Sequence, residues 1–418
     1  MRGGYNRHTT RKRDGCEGRA MGEHRVAIVG GGAAGLVAAI AAARAGASVT
    51  LLEAGPRVGG KILASGNGRC NLSNLAVSPR AYNDPVFVAP VLAEYGCPEV
   101  REFFGELGLL TYADEEGRIY PVTNAANSVL DVLRIECAHL GVEERFGFEA
   151  ARIERTGDGL VVRSREGEAV DARAVVVASG GGASVLESLG HTREPLWPGL
   201  VPLATDTRSI RGLSGVRVRC AGRILDDAGA TLATERGELL FRDYGVSGIM
   251  VLDLSRAALP GLTLSLDFFP DIDPGAMELL LTERIGRLGW RSAGAFFSGM
   301  LHTRIAQAVL RVAEVPVGTP AESLDAPALA RLLKDFRLAI TGLGDPAQAQ
   351  VTRGGARVEG FEPATLASRS TPGVFAAGEV LDIDGRCGGF NLHWAWASGI
   401  VTGRAAAAHA VARAGTLE

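Results

Sequence analysis

The run HRVAIVGGGAAGLVAAIAAARAGASVTLLE at residues 24–53 decides the fold. Residues 26–29 are wholly apolar, the pattern of a parallel strand buried on both faces, and Gly30, Gly32 and Gly35 follow at GxGxxG spacing. Each glycine has its own physical task. Gly30 permits the tight turn, Gly32 admits a pyrophosphate to the backbone, and Gly35 lets the Ala-rich helix lie close on the strand. Ala33 and Ala34 open that helix, whose free amides and positive dipole end face an anion. A second apolar strand at residues 48–52 ends in Glu53, about twenty residues past the glycines, where a carboxylate accepts ribose hydroxyls. Strand, glycines, helix, strand and terminal Glu predict dinucleotide binding rather than a purely structural βαβ unit. Glu53 repels a 2′-phosphate, which favours FAD or NAD over NADP at this position.

The 418-residue chain has room for two or three domains, and 46% hydrophobic content suffices for a sizeable core. A net charge of -3 with 22% charged residues gives no general attraction to nucleic acid or anionic membranes, so a small-molecule substrate is expected and neither of those partners. The six cysteines, at 16, 70, 97, 137, 220 and 387, form no CxxC pair or zinc spacing and are sparse for a disulfide scaffold. No metal and a reducing, cytoplasmic setting are expected. No apolar run has the length of a membrane span, and the N-terminus lacks a signal peptide's apolar core. Residues 1–22 are basic and aperiodic, read as a solvated tail with an RNA-binding arm as the alternative; Met21 is a candidate translation start. Oligomeric state is not encoded in any of these patterns.

Past Glu53 and Ala54, residues 54–74 are dense in Gly, Asn and Ser and read as a loop at the ligand end of the sheet, carrying Lys61, Asn67, Gly68, Arg69 and Cys70. Residues 85–110 and 125–140 have helical spacing. Residues 142–148, 150–154, 160–165 and 169–172 read as short strands, a three-stranded excursion beside the main sheet, with Ala150 at its start. The apolar strand 174–178 ends at Ala178 and runs into Ser179 and Gly180, either a second nucleotide crossing or a plain tight turn. From 191 to 272 the pattern is short β runs, LVPLATD, VRVRCAGRIL, GELLFRD, IMVLDLS and LTLSLDFF, an antiparallel sheet or small barrel. Three helices are expected over 273–335, and 336–345 returns to a strand. The final segment echoes the first: an apolar strand at 374–377 ends in Gly378 and Glu379, and a glycine turn with Gly389, Asn391 and Leu392 leads into a Trp- and Ala-rich helix. There a carboxylate suits a ribitol hydroxyl and a helix start suits a ring carbonyl, a second station that FAD requires and NAD does not.

With these motifs the chain resembles the BaiN-like (YhiN-type) flavoproteins, a family of NAD(P)/FAD-dependent oxidoreductases also labelled aminoacetone-oxidase-like. The resemblance covers nearly all of residues 24–410 and rests on VAIVGGGAAGL, GGKILASGNGRCNLSN, GRIYPVTNAANSV, LLFRDYGVSGI, QVTRGG and TPGVFAAGEVLDIDGRCGGFNLHWAWASG. It implies an α/β fold: an FAD domain of the two-dinucleotide-binding type split into 23–190 and 346–418, with an inserted antiparallel β-barrel at 191–272 and 336–345 and a small helical domain at 273–335. In the family the strand end near residue 180 is followed by a longer glycine-rich stretch, whereas here SGGGASVLESLGH passes through directly. The resemblance also implies reduction of an activated C=C bond, as in an unsaturated ketone or steroid. NADH or NADPH would act as a transient donor, since only one complete dinucleotide fingerprint is present.

Flavin chemistry asks the protein mainly for positioning and a proton. Tyr244 is the candidate donor, tuned by Asp243 or Arg242, against the plainer reading that Tyr244 packs and Asp243 caps a turn. Cys70 and Cys387 each stand in a Gly-Arg-Cys triplet; a redox dithiol is weighed against small-residue packing, and packing is favoured. His302 and His393 read as structural or solvent-facing. The run Asp382-Ile383-Asp384-Gly385 resembles a calcium loop but lacks the later acidic ligand. Competing functions are an amine or ketone oxidase using oxygen, a flavin-dependent RNA-modifying protein, and a flavin-binding protein without turnover.

Overall fold

Five parallel strands form the main sheet of the computed structural model, in the order Val374–Ala376, Ala174–Val177, Arg25–Val29, Ser48–Glu53, Glu143–Phe146. The structure describes residues 25–412 except 158, 183 and 346–348; the basic tail and Met21 lie outside the described residues. The register places Val29 beside Leu52 and Val177, and Val177 beside Ala376. Gly30, Glu53, Ala178 and Gly378 therefore come together at the carboxyl end of the parallel strands. The central strand is fully apolar from Val26 to Val29 because both of its faces are covered.

One cover is the helix Ala33–Arg44, and it lies against the C-terminal helix Phe390–Ala412. The crossing is close because it is made of glycine: a Cβ on Gly399 would sit 2.4 Å from the Ala34 carbonyl oxygen, and one on Gly403 would sit 2.3 Å from that of Ala38. Trp396 is fully buried beside this crossing, its indole donating to the Leu72 carbonyl at 3.0 Å.

Several elements differ from the sequence reading, each for a physical reason. Glu143–Phe146 is the edge strand of the main sheet, so the excursion consists of Ala150–Thr156, Gly159–Ser164 and Ala169–Ala172 alone. The 54–74 loop contains a helical turn, Gly60–Ala64, and a two-residue strand, Ser73–Asn74, paired with Arg118–Pro121. Residues 85–110 form two helices, Pro85–Glu94 and Cys97–Glu106; Asp84 caps the first by accepting from the amides of Val86 and Phe87.

A closed barrel follows in the order Leu203–Thr205, Gly245–Ser247, Thr231–Arg242, Arg217–Leu225, Thr263–Asp267, Phe336–Leu343. The expected strand IMVLDLS is instead the helix Ile249–Leu254. Gly248, at φ +103 and pressed against the Glu238 carbonyl, turns the chain out of the sheet. Met250, Val251, Leu252 and Leu254 are then all buried, so no period distinguishes helix from strand. Over 273–335 there are four helices rather than three: Pro274–Leu288, Ala293–Phe296, Thr303–Val312 and Ala326–Lys334. The long middle helix breaks at Gly299, φ +82, and restarts at His302, whose Nδ1 accepts the Arg304 amide hydrogen at 3.2 Å.

Two apolar cores result. One draws on residues between 26 and 186 and between 356 and 410, the other on residues between 203 and 340. An antiparallel ribbon of Arg193–Gly199 and Val351–Ala356 carries the chain out and back. Among the described residues no helix is long and apolar enough to cross a membrane.

Candidate functional site

The site begins where the central strand ends. Gly30 adopts φ +104, and a Cβ there would sit 2.5 Å from the Ala178 carbonyl oxygen. At Gly35 a Cβ would sit 1.8 Å from the Gly30 carbonyl oxygen, so only glycine lets the helix approach this closely. Gly32 caps that helix in an extended conformation, and a Cβ there would meet nothing within 4 Å. Open space in front of free helix-start amides, Ala33 and Ala34 among them, is what a pyrophosphate needs. The fit to a dinucleotide holds on this observation alone.

Glu53 is fixed before any ligand arrives. Its Oε2 accepts the Gly31 amide hydrogen and its Oε1 that of Gly55, both at 2.7 Å. Each carboxylate oxygen keeps a second lone pair, so the group remains an acceptor for hydroxyls. The Phe148 amide donates to the Glu53 carbonyl at 3.0 Å, which brings Ala150 to the same end of the sheet.

A second convergence joins parts far apart in sequence. Lys61 Nζ lies 2.5 Å from Glu379 Oε2, and the other Glu379 oxygen accepts the Thr352 amide hydrogen. Gly180, at φ +72, lies against the same pair, where a Cβ would stand 3.6 Å from both charged atoms. Ser179 is spent on its own turn, donating to the Gly182 carbonyl at 2.7 Å. Gly378, φ +70, sits against Ala34 and donates its amide hydrogen to Ser398 Oγ at 2.9 Å. Glu379, Lys61, Gly180 and the glycine loop therefore share one end of the sheet. Thr352 is not a candidate from sequence; the QVTRGG motif contains it, but only the ribbon geometry gives it a contact.

The loop after Lys61 is wound left-handed at Gly66, Asn67, Gly68 and Cys70. Arg69 stacks its guanidinium on Tyr120, 4.3 Å from the ring centroid. The Cys70 thiol is fully buried and pushed up to about 11 by that burial, and the Cys387 thiol is pushed up to about 12 by burial and by the charge of Asp253. Both stay protonated at neutral pH, which suits packing rather than a redox dithiol. The five described cysteines are free.

The start of the C-terminal helix rests on this loop. Gly389, φ +101, leaves no room for a Cβ, which would lie 2.3 Å from the Ser73 carbonyl oxygen. Asn391 is turned onto its own chain: its Oδ1 accepts the Gly385 amide hydrogen at 2.8 Å and its Nδ2 donates to the Gly385 and Arg386 carbonyls. Its side chain is thus a brace for the turn, leaving the backbone of Asn391 and Leu392 for a ligand. His393 is wholly buried between Ser73 Oγ at 2.9 Å and the Tyr95 carbonyl at 3.0 Å. The carbonyl only accepts, so Nε2 carries the hydrogen and Nδ1 accepts from Ser73. Burial lowers the imidazole to about 4, a neutral structural histidine.

The Asp384 carboxylate is taken up by two arginines rather than left open for a metal ion: Arg256 Nε lies 2.7 Å and Arg353 Nε 3.4 Å from it. Asp243 and Tyr244 form the two-residue turn between Thr231–Arg242 and Gly245–Ser247. Tyr244 is 39% exposed, its carbonyl accepts the Thr205 amide hydrogen at 3.1 Å, and among the described residues its hydroxyl has no hydrogen-bond partner. Among the described residues no hydrogen bond or ion pair joins this turn to Lys61 or Glu379.

The family model for the HI0933-like protein Rossmann domain matches residues 24–405. The chain is 36% identical to a 3-dehydro-bile acid delta(4,6)-reductase of Clostridium scindens, over 92% of this chain and 99% of that one. It is 29% identical to a ribosomal RNA dihydrouridine synthase of Escherichia coli, over 89% of this chain and 95% of that one. Among solved structures, a 3-ketosteroid delta1-dehydrogenase of Sterolibacterium denitrificans aligns with TM-score 0.47 at 14% identity, covering 92% of this chain and 100% of that chain.

Proposed function

This chain belongs to the HI0933-like family, an FAD-dependent oxidoreductase family, and from that premise we propose that it reduces a C=C bond conjugated to a carbonyl in a small, steroid-like substrate, with electrons from NADH or NADPH. The observation that carries the reading is the open helix start at Gly32 beside the fixed Glu53 carboxylate. In this reading Gly30, Gly32, Ala33, Ala34 and Gly35 hold the pyrophosphate, and Glu53 with Ala54 and Ala150 holds the adenosine. Gly378, Glu379 and Lys61 hold the ribitol, and Gly389 to Leu392 face the ring. Bound there, FAD supplies hydride acceptance and delivery. The chain's own residues then have three tasks: to orient the double bond, to exclude water, and to provide one proton. The name of the Clostridium scindens relative supports the substrate class.

A second reading rests on the Escherichia coli relative. Its name denotes saturation of a uridine ring, again a double bond conjugated to a carbonyl, in RNA. The deciding experiment takes the purified protein, identifies its released flavin, reduces it anaerobically with NADH or NADPH, and mixes it with a 4-en-3-one steroid or with ribosomal RNA. Reoxidation by the steroid supports the first reading; reoxidation by RNA alone, falling steeply with salt, supports the second. Reoxidation by oxygen alone returns the protein to the oxidases. A reducing compartment is proposed with this function, in keeping with the free thiols.

Glu53→Ala is expected to weaken FAD by about 1–3 kcal/mol, the scale of charge-assisted hydrogen bonds. Titration of the apoprotein with FAD measures it. An unchanged dissociation constant would remove Glu53 from the ribose.

A further inference from the structure

We infer that Asp253 is a positioning residue, which with Glu235 sets the loop of Arg386 and Cys387 beneath the start of the Phe390–Ala412 helix. The inference rests on the proposed reading in which that helix start faces the flavin ring. The insertion grips the loop by two charge pairs of opposite sense. Arg256 of the insertion binds Asp384 of the loop at 2.7 Å, while Arg386 of the loop binds Glu235 of the insertion at 2.5 Å. Between them Asp253 accepts the Cys387 amide hydrogen at 2.6 Å, with Arg386 Nε 3.9 Å from its other oxygen. Its side chain is only 6% exposed.

A carboxylate this deeply buried is a poor choice for stability, since a well-packed apolar residue of similar volume does as well or better. What Asp253 adds is direction. Its acceptor fixes one backbone amide two residues before Gly389, where the helix start has no room to shift. Asn391 holds the same turn from the helix side, and Asn83 holds it from the opposite side by donating to the Asp382 carbonyl and accepting the Asp384 amide hydrogen. Asp253 is the only one of these three braces that can change its charge.

Burial pushes the Asp253 carboxyl up to about 6; Glu235 raises it further, and Arg386, Arg256 and the Cys387 amide oppose the rise. The Glu235 carboxyl is itself raised by burial. Because the folded value lies above the ordinary one, this group's contribution to stability is fully present below the unfolded pKa and is lost as pH rises through about 6. The charged form, which accepts the Cys387 amide hydrogen more strongly and attracts Arg386, is therefore the less stable form, so positioning and stability change in opposite directions across this range.

The test compares wild type, Asp253→Asn, Asp253→Glu and Glu235→Gln, each with bound FAD, reading the flavin absorbance spectrum and the rate of anaerobic reduction by NADH from pH 5 to pH 8. The wild-type spectrum is expected to change with a midpoint near 6, and its reduction rate to fall about tenfold from pH 7 to pH 5, as follows from one group titrating at about 6. Asp253→Asn should lose both changes while unfolding at the same or higher temperature at pH 8. Glu235→Gln should move the midpoint down, and Asp253→Glu should retain a transition. A wild type with FAD bound but no transition, or a transition that survives in Asp253→Asn, overturns the inference. Should Asp253→Asn not retain FAD, loss of the transition in Asp253→Glu overturns it. A wild type that takes up no FAD refutes the cofactor reading instead, and released-flavin analysis identifies that case separately.

Discussion

Gly35→Ala is expected to weaken FAD binding severely and to destabilise the protein, whereas Gly32→Ala should weaken binding as much and leave the fold intact. At Gly35 the new methyl would stand 1.8 Å from the Gly30 carbonyl oxygen, a backbone atom that cannot swing aside. Helix and strand must separate by more than an ångström. Overpacking of this kind costs about 1–3 kcal/mol or more, and the displaced atoms are those of the glycine loop proposed to hold the phosphates. At Gly32 the backbone is extended and the methyl would meet no protein atom within 4 Å, so the apoprotein should unfold at the wild-type temperature. On the proposed reading the same methyl would occupy the space that the pyrophosphate takes. Thermal unfolding of both apoproteins, with FAD titration, separates the two roles; FAD affinity should fall by about a hundredfold or more in each, the loss of roughly 3 kcal/mol of phosphate contacts. If Gly32→Ala binds FAD as wild type does, the open space at the helix start belongs to something else.

That contrast also marks how far the sequence alone reaches. Gly30, Gly32, Gly35 and Glu53 are legible because their task is local: a turn, a close approach and a strand end within thirty residues, all written as spacing. The alternation of parallel, antiparallel and helical patterns likewise announces the barrel and the helices. Lys61 and Glu379 stand out as candidates but not as a pair, because 318 residues separate them and no period encodes contact at that range. Asn391 shows the opposite case. Its motif points to a ligand, yet its side chain is consumed by Gly385 and Arg386, which only the turn geometry reveals. Asp253 is hidden by a wrong element: in the expected strand it would be the one charged residue of an otherwise apolar run, and only as part of a buried helix does it face Cys387.

Tyr244→Phe is expected to slow reduction of the substrate by roughly 10²–10⁴-fold while reduction of the flavin by NADH or NADPH stays near wild type, the effect of removing one positioned proton donor. The turn that bears Tyr244 is anchored at its base. Gly245 follows it at φ +151 with its Cα against the Leu203 carbonyl, where a Cβ would lie only 2.2 Å away, and Thr205 holds the Tyr244 carbonyl. The phenol therefore projects from a fixed base, 39% exposed, with its hydroxyl unclaimed by any described residue. A donor kept free of internal hydrogen bonds is available to a ligand, and phenylalanine preserves its shape while deleting only the O–H. Stopped-flow measurement of the two half-reactions under anaerobic conditions gives each rate by itself. Slowing of the substrate half alone assigns the proton to Tyr244. Equal slowing of both halves marks a displaced turn, and wild-type rates in both return Tyr244 to the barrel surface and leave the proton to solvent.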